Sequence, residues 1–217
     1  MAKALAGKLG CLHIDTGAMY RALTWLALEQ GLALDDEEGL SRLAGTADIR
    51  LQPAGGADGA QLVYCQGEDV TSAIRGMPVS LAVSTVAAIP GVRAAMVEAQ
   101  RKMASGREVV MDGRDIGAVV LPDAECKIFL TASVEERAKR RLLERAGGAE
   151  NTADPLALEA ITAELKKRDD EDINRAASPL RQPEDSVLLD TTSMSFSEVL
   201  DESLRLVREA RDRRHAV

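Results

Sequence analysis

Residues Glu108 to Pro122 read EVVMDGRDIGAVVLP, a short apolar run that stops at Asp112-Gly113-Arg114-Asp115-Ile116-Gly117. β-Branched and apolar residues followed by an Asp/Gly turn predict a buried parallel strand. Such a strand delivers charged side chains at its carboxyl end, where open α/β sheets hold their ligands. A charged surface turn has the same composition. What separates the two is Asp15-Thr16-Gly17-Ala18-Met19-Tyr20-Arg21, which repeats the arrangement after an earlier apolar run, Cys11 to Ile14. Two strand ends then aim polar groups at one crevice.

Composition narrows the function classes. The 217 residues, 46% of them hydrophobic, suffice for one large domain or a core with an insertion. The formal charge of −8 argues against a nucleic-acid binder, which needs a basic face for phosphates, and 2% aromatics leave little for base stacking. Cys11, Cys65 and Cys126 are odd in number and set in apolar runs, so packed thiols are expected instead of disulfides or a metal site. No stretch approaches a membrane span and no leader-like apolar region opens the chain, so the expectation is a soluble, cytoplasmic protein without a membrane partner.

In chain order, Met1 to Leu9 has helical composition but no cap at its start. A helix is expected from about Ala18 to Gln30, closed by Gly31, and another after Asp35-Asp36-Glu37-Glu38, read as a capping-box variant. Between Ala47 and Gly76, Ile49 to Leu51 and Gln61 to Cys65 read as strands flanking a glycine-rich turn, Pro53 to Gly59, which makes a small antiparallel insertion. Pro78 to Ala88 and Val92 to Met103 have helical spacing, broken at Pro90-Gly91. A strand at Cys126 to Leu130 precedes a capping box, Ser133-Val134-Glu135-Glu136. Arg137, Lys139, Arg140, Arg141 and Arg145 follow, then Gly147, Gly148 and Asn151, then a charged helix from about Pro155 to Arg175. This is either a solvated hairpin or a mobile lid that brings arginines onto phosphates. Ser186 to Leu189 is the last strand, and Ser195 to Glu198 caps a terminal helix. His13, in a strand, and His215, near the end, are given no role.

Three blocks together resemble the bacterial cytidylate kinases: Asp15 to Arg21 (DTGAMYR), Asp112 to Gly117 (DGRDIG) and Arg168 to Pro179 (RDDEDINRAASP). Ser84 and Val92-Arg93 also match, and the resemblance runs from Lys3 to the final helix. It implies an α/β P-loop nucleoside monophosphate kinase fold, a parallel sheet flanked by helices. Residues 1–46, 77–136 and 176–217 would be the core, 47–76 the CMP-binding insertion and 137–175 a helical lid. The implied activity is transfer of the γ-phosphoryl group of ATP to CMP or dCMP with Mg²⁺, commonly by a monomer. Another nucleoside monophosphate, such as UMP, is the alternative substrate.

The resemblance also implies roles. Arg21 and Arg114 would hold the CMP phosphate and, with Asp112, form the catalytic set, Asp112 lying near Mg²⁺. Asp115 and Ser84 would accept from the cytosine amino group, while Arg93 and Arg175 donate to the base. Asp172 and Arg168 would contact ribose, and Thr16 and Tyr20 would line the pocket. Arg137, Arg140, Arg141 and Arg145 would be lid contacts to ATP.

One family feature is not found. No G-x-x-x-x-G-K-[S/T] occurs, since Gly7-Lys8 is followed by Leu9 and no glycine stands five before Gly7. Met1 to Ala6 align just after that loop, so about fifteen to twenty residues of the pattern, including a central strand, are expected to be absent. Two accounts stay open: a natural protein that begins further upstream, or a truncation that binds CMP without binding ATP productively.

Overall fold

The computed structural model describes residues 1–53, 61–145, 155–175 and 177–215. Helix α1 (Ala2–Leu9) has no side-chain cap at Met1 and ends at Gly10, whose φ of 69° turns the chain into strand β1 (Leu12–Asp15). Helix α2 (Thr16–Glu29) starts two residues before the expected Ala18, because the Asp15 carboxylate accepts from the Ala18 N–H at 2.9 Å and acts as its cap. Helix α3 (Glu37–Thr46) is capped by Asp36, which accepts from Gly39 N–H at 2.8 Å. The expected Asp35/Glu38 capping box therefore does not form. Glu37 and Glu38 sit instead in the first turn, where the helix dipole favours them.

Strands β2 (Ile49–Gln52), β3 (Leu62–Cys65) and β4 (Glu68–Asp69) make an antiparallel sheet in that order. Most of the predicted glycine-rich turn, residues 54–60, lies outside the described residues. A 3-10 turn (Ala73–Arg75) leads into α4 (Met77–Ala88) and α5 (Pro90–Ala104). Pro90 opens α5 as its first residue, so Ile89 alone separates the two helices. A Cβ on Gly91 would lie 2.2 Å from Ser41 Oγ, so the contact between α3 and α5 requires glycine there.

Strand β5 (Val109–Asp112) pairs in parallel with β1, Leu12 opposite Val109 through Asp15 opposite Asp112. The expected burial is not reached: Val109, Val110 and Met111 are half-buried and Asp112 is exposed. Among the described residues β5 has one ladder partner, β1. A π-helical turn (Ile116–Val120) follows. The core here is built on Ile14, Met19, Leu23, Leu40, Val86, Val92 and Met96, fully or almost fully buried.

These elements belong to one compact unit, built on Met1–Pro122. A second unit comprises Asp123–Arg175 and Pro179–Val217. This division differs from the expected core, insertion and lid. In the second unit β6 (Ile128–Thr131) pairs in parallel with β7 (Val187–Asp190), and helices α6 (Val134–Arg145), α7 (Pro155–Asn174) and α8 (Phe196–His215) accompany them. Strand β6 begins two residues after the predicted Cys126. The expected parallel sheet is thus present as two parallel pairs, β1 with β5 and β6 with β7.

Only half of the predicted capping box opens α6. Glu136 N–H donates to Ser133 Oγ at 3.2 Å, but the Glu136 carboxylate accepts from Arg140 Nε and Ser133 N–H goes to Thr192 Oγ1. At α8 both halves form: Glu198 N–H reaches Ser195 Oγ at 3.3 Å, and Ser195 N–H reaches Glu198 Oε2 at 2.8 Å. The Ser195 N–H and hydroxyl hold the Glu198 carboxyl below its usual range. Among the described residues no single helix is long and apolar enough to cross a membrane.

All three cysteines are free thiols. Cys65 is buried, its Sγ 3.8 Å from the Ala22 carbonyl, and burial pushes its thiol up to about 11, with the Asp48 and Glu68 charges adding. A raised value favours the neutral thiol in the folded state. The stability it contributes is complete below the ordinary thiol pKa near 9.0 and falls away as pH climbs towards 11. Cys65 is therefore expected to resist Ellman's reagent at pH 8 in native protein and to react once the chain is unfolded. Rapid native-state labelling of Cys65, located by peptide mass spectrometry, would contradict the burial.

Candidate functional site

Parallel pairing sets the ends of β1 and β5 level, so α2 begins beside the Asp112 turn. Thr16, the first residue of α2, donates its hydroxyl to the Asp112 carbonyl at 2.8 Å. That closeness excludes a side chain at 113, where a Cβ would sit 2.3 Å from Thr16 Oγ1 and 2.7 Å from Ile116 Cδ1. His13 Nε2 lies 2.6 Å from Asp112 Oδ1. The histidine given no role thus touches the carboxylate expected near magnesium. Its ladder partner is Val110, which puts Asp112 two residues on and on the same face.

An enclosed ion pair joins Arg93, in the first turn of α5, to Asp115, which precedes the π-helical turn. The residues are 3% and 6% exposed, and Arg93 Nη2 donates to Asp115 Oδ2. Arg93 Nη1 donates to the Ala87 carbonyl at 3.1 Å, and its guanidinium carbon lies 5.5 Å from the centroid of the Tyr20 ring. Arg21 Nη1 donates to Ser80 Oγ at 3.0 Å. Ser80 stands one turn before the predicted Ser84, which is half-buried. Arg114, beside Asp115, is exposed. The first unit carries Thr16, Tyr20, Arg21, Ser84, Arg93, Asp112, Arg114 and Asp115 on α2, α4, α5 and the β5 turn, and direct contacts join Thr16 to Asp112 and Arg93 to Asp115 and Tyr20. A further contact that the sequence did not announce comes from Gln61, whose amide donates to the His13 carbonyl at 2.6 Å and accepts from Asp15 N–H at 3.4 Å.

The remaining predicted residues lie in the second unit. Arg175 Nη1 is 3.3 Å from Asp172 Oδ1, both side chains largely buried, and Arg168 is half-buried. Arg137 reaches both carboxylate oxygens of Asp169, at 3.1 and 2.7 Å, and Arg141 reaches Glu164 at 3.3 Å. Arg140 donates to Thr191 Oγ1 and to the Thr191 and Met194 carbonyls. Three of the four arginines expected at ATP are thus engaged by the hairpin of α6 and α7 or by the loop after β7. The side chain of Arg145 lies outside the described residues.

No group of three or more His, Cys, Asp or Glu that could cage a metal occurs among the described residues. Magnesium does not demand one, because it commonly keeps several waters and binds through one or two carboxylates plus substrate phosphates. Asp112, exposed at a strand end with one oxygen held by His13, fits that use.

A parallel α/β framework with arginines and carboxylates at strand ends fits a kinase of the nucleoside monophosphate type. The chain belongs to the cytidylate kinase family, whose model, Cytidylate kinase, matches residues 1–209. It is 50% identical to a cytidylate kinase of a Geobacillus species over 96% of this chain and 90% of that one. Identity to the cytidylate kinase of Caldanaerobacter subterraneus is 46%, over 96% of this chain and 88% of that one. A bifunctional pantoate ligase/cytidylate kinase of a Synechococcus species is 45% identical over 98% of this chain, which spans 39% of that longer protein.

Removing one partner of a buried ion pair strands the other charge, at about 3 to 5 kcal/mol. Arg93→Ala is expected to lower the melting midpoint by roughly 6 to 20 °C for a chain of this size. The double variant Arg93→Met/Asp115→Leu should recover much of that loss. Differential scanning calorimetry on the two variants decides it, and an unperturbed Arg93→Ala would show that the pair is not buried in solution.

Proposed function

We propose that this chain binds CMP or dCMP through its first unit and serves an enzyme that transfers the γ-phosphoryl group of ATP to it, giving CDP or dCDP and ADP. The observation that carries this is the enclosed Arg93–Asp115 pair with Tyr20 against the guanidinium. It sets a carboxylate acceptor beside a fork of donors, the complement of a cytosine edge with its amino group and two acceptors. Uracil carries an acceptor where cytosine carries its amine, so Asp115 repels it. A lost buried pairing of about 1 to 3 kcal/mol gives roughly ten- to hundredfold preference for CMP.

In this proposal Arg21, steadied by Ser80, and Arg114 neutralise the monophosphate, and Ser84 joins Asp115 at the amino group. Residues 47–76 are the monophosphate-side insertion and 137–175 the lid. When bound, Mg²⁺ neutralises phosphate charge as it shifts towards the leaving group. Asp112, whose carboxylate is held by His13, would be the residue that holds the ion.

The donor side completes the proposal. The chain has no G-x-x-x-x-G-K-[S/T] to cradle ATP phosphates, and β5 and β6 each have a single ladder partner among the described residues. The 217-residue chain is accordingly expected to bind CMP in calorimetry, to bind UMP roughly ten- to hundredfold more weakly, and to turn over little CMP with Mg-ATP. Robust turnover by the 217-residue chain would refute the donor half, and equal affinity for CMP and UMP would refute the base-reading half.

A further inference from the structure

We propose that Arg101 is a positioning residue for the nucleotide site, clamping the far end of the π-helical turn that Asp115 introduces. The inference rests on the CMP-binding function proposed above. Arg101 Nε donates to the Val120 carbonyl at 2.9 Å and Nη2 to the Val119 carbonyl at 2.6 Å. The turn itself is closed by Val119 N–H on the Asp115 carbonyl and Leu121 N–H on the Ile116 carbonyl, both at 2.8 Å.

Two features make that clamp necessary. A π-helical turn is rare and poorly self-supporting, and its residues, Ile-Gly-Ala-Val-Val, include a glycine and three β-branched side chains that favour other conformations. The carbonyls at the end of any helical turn also lack partners within it, and a planar guanidinium with parallel donors suits two adjacent ones. Helix α5 supplies both grips on this segment. Arg93 holds the Asp115 carboxylate at its start and Arg101 the carbonyls at its end, eight residues apart or about 12 Å along the helix. With the far grip released, the turn relaxes and Asp115 samples orientations that do not meet the cytosine amine.

Arg101 is exposed, so replacing it opens no cavity and strands no buried charge. The test is calorimetric titration of the full 217-residue chain with CMP and with UMP. It compares wild type, Arg101→Gln, Arg101→Lys and, as a charge control on the same helix, Lys102→Gln. Arg101→Gln is expected to weaken CMP binding about three- to tenfold and to narrow the preference for CMP over UMP, with the lysine variant intermediate because an ammonium offers no fork. Lys102→Gln should match wild type. A merely structural role would lower the melting midpoint and leave the base preference intact. CMP affinity and preference within about twofold of wild type in both Arg101 variants would overturn the proposal. Failure of the wild-type chain to bind CMP would instead overturn the site on which it rests.

Discussion

The ion pair between Arg93 and Asp115 constrains everything around it. Taking a guanidinium and a carboxylate out of water costs several kcal/mol per ion, offset only where the geometry is good and the other donors are occupied. Here the Ala87 carbonyl takes a second donor and the Tyr20 ring lies within cation–π distance, while the buried Arg93 Nε has no hydrogen-bond partner among the described residues. Pro90 starts α5 where it does, which sets Arg93 in the first turn, and the π-helical turn after Asp115 delivers its partner. Desolvation is completed when the chain folds, so the pair is already dehydrated and fixed in orientation in the folded chain.

The second constraint is the parallel register of β1 and β5. It sets Asp15 level with Asp112, brings the first residue of α2 onto the β5 turn through Thr16, and carries His13 to the Asp112 carboxylate. Polar groups collect at the carboxyl ends of both strands because the backbone there has left the ladder and still needs partners. The Gln61 amide contributes in the same manner, contacting β1 backbone groups with a donor and an acceptor as a neighbouring strand would. Gly113 is the one residue type that tolerates the resulting approach of Thr16 and Ile116.

The second unit shows how one residue pattern admits two readings. The arginine run on α6 has the composition of a phosphate-gripping lid, yet Arg137 and Arg141 pair with α7 carboxylates and Arg140 ties the loop after β7. These pairs are partly buried, and the one between Arg137 and Asp169 is bidentate, the geometry in which such a pair holds best. In this structure these guanidinium groups brace the hairpin and the loop after β7.

Local chemistry in the sequence was enough for the kinds of element and their order, the Ser195–Glu198 capping box, the antiparallel insertion and the clustering of charge after two strands. These depend on residues within a few positions of one another, where periodicity and capping carry the information. Family membership was legible for a related reason: three spaced motifs survive as strings. Tertiary structure alone decided that His13 meets Asp112 across 99 residues, that Arg101 grips the Val119 and Val120 carbonyls, and that β5 stays half-buried. It also moved the α3 cap from Asp35 to Asp36 and turned Glu136 towards Arg140. Hydrogen-bond partners distant in sequence follow strand register and helix packing, which summed burial over the whole core determines and no short window of residues contains.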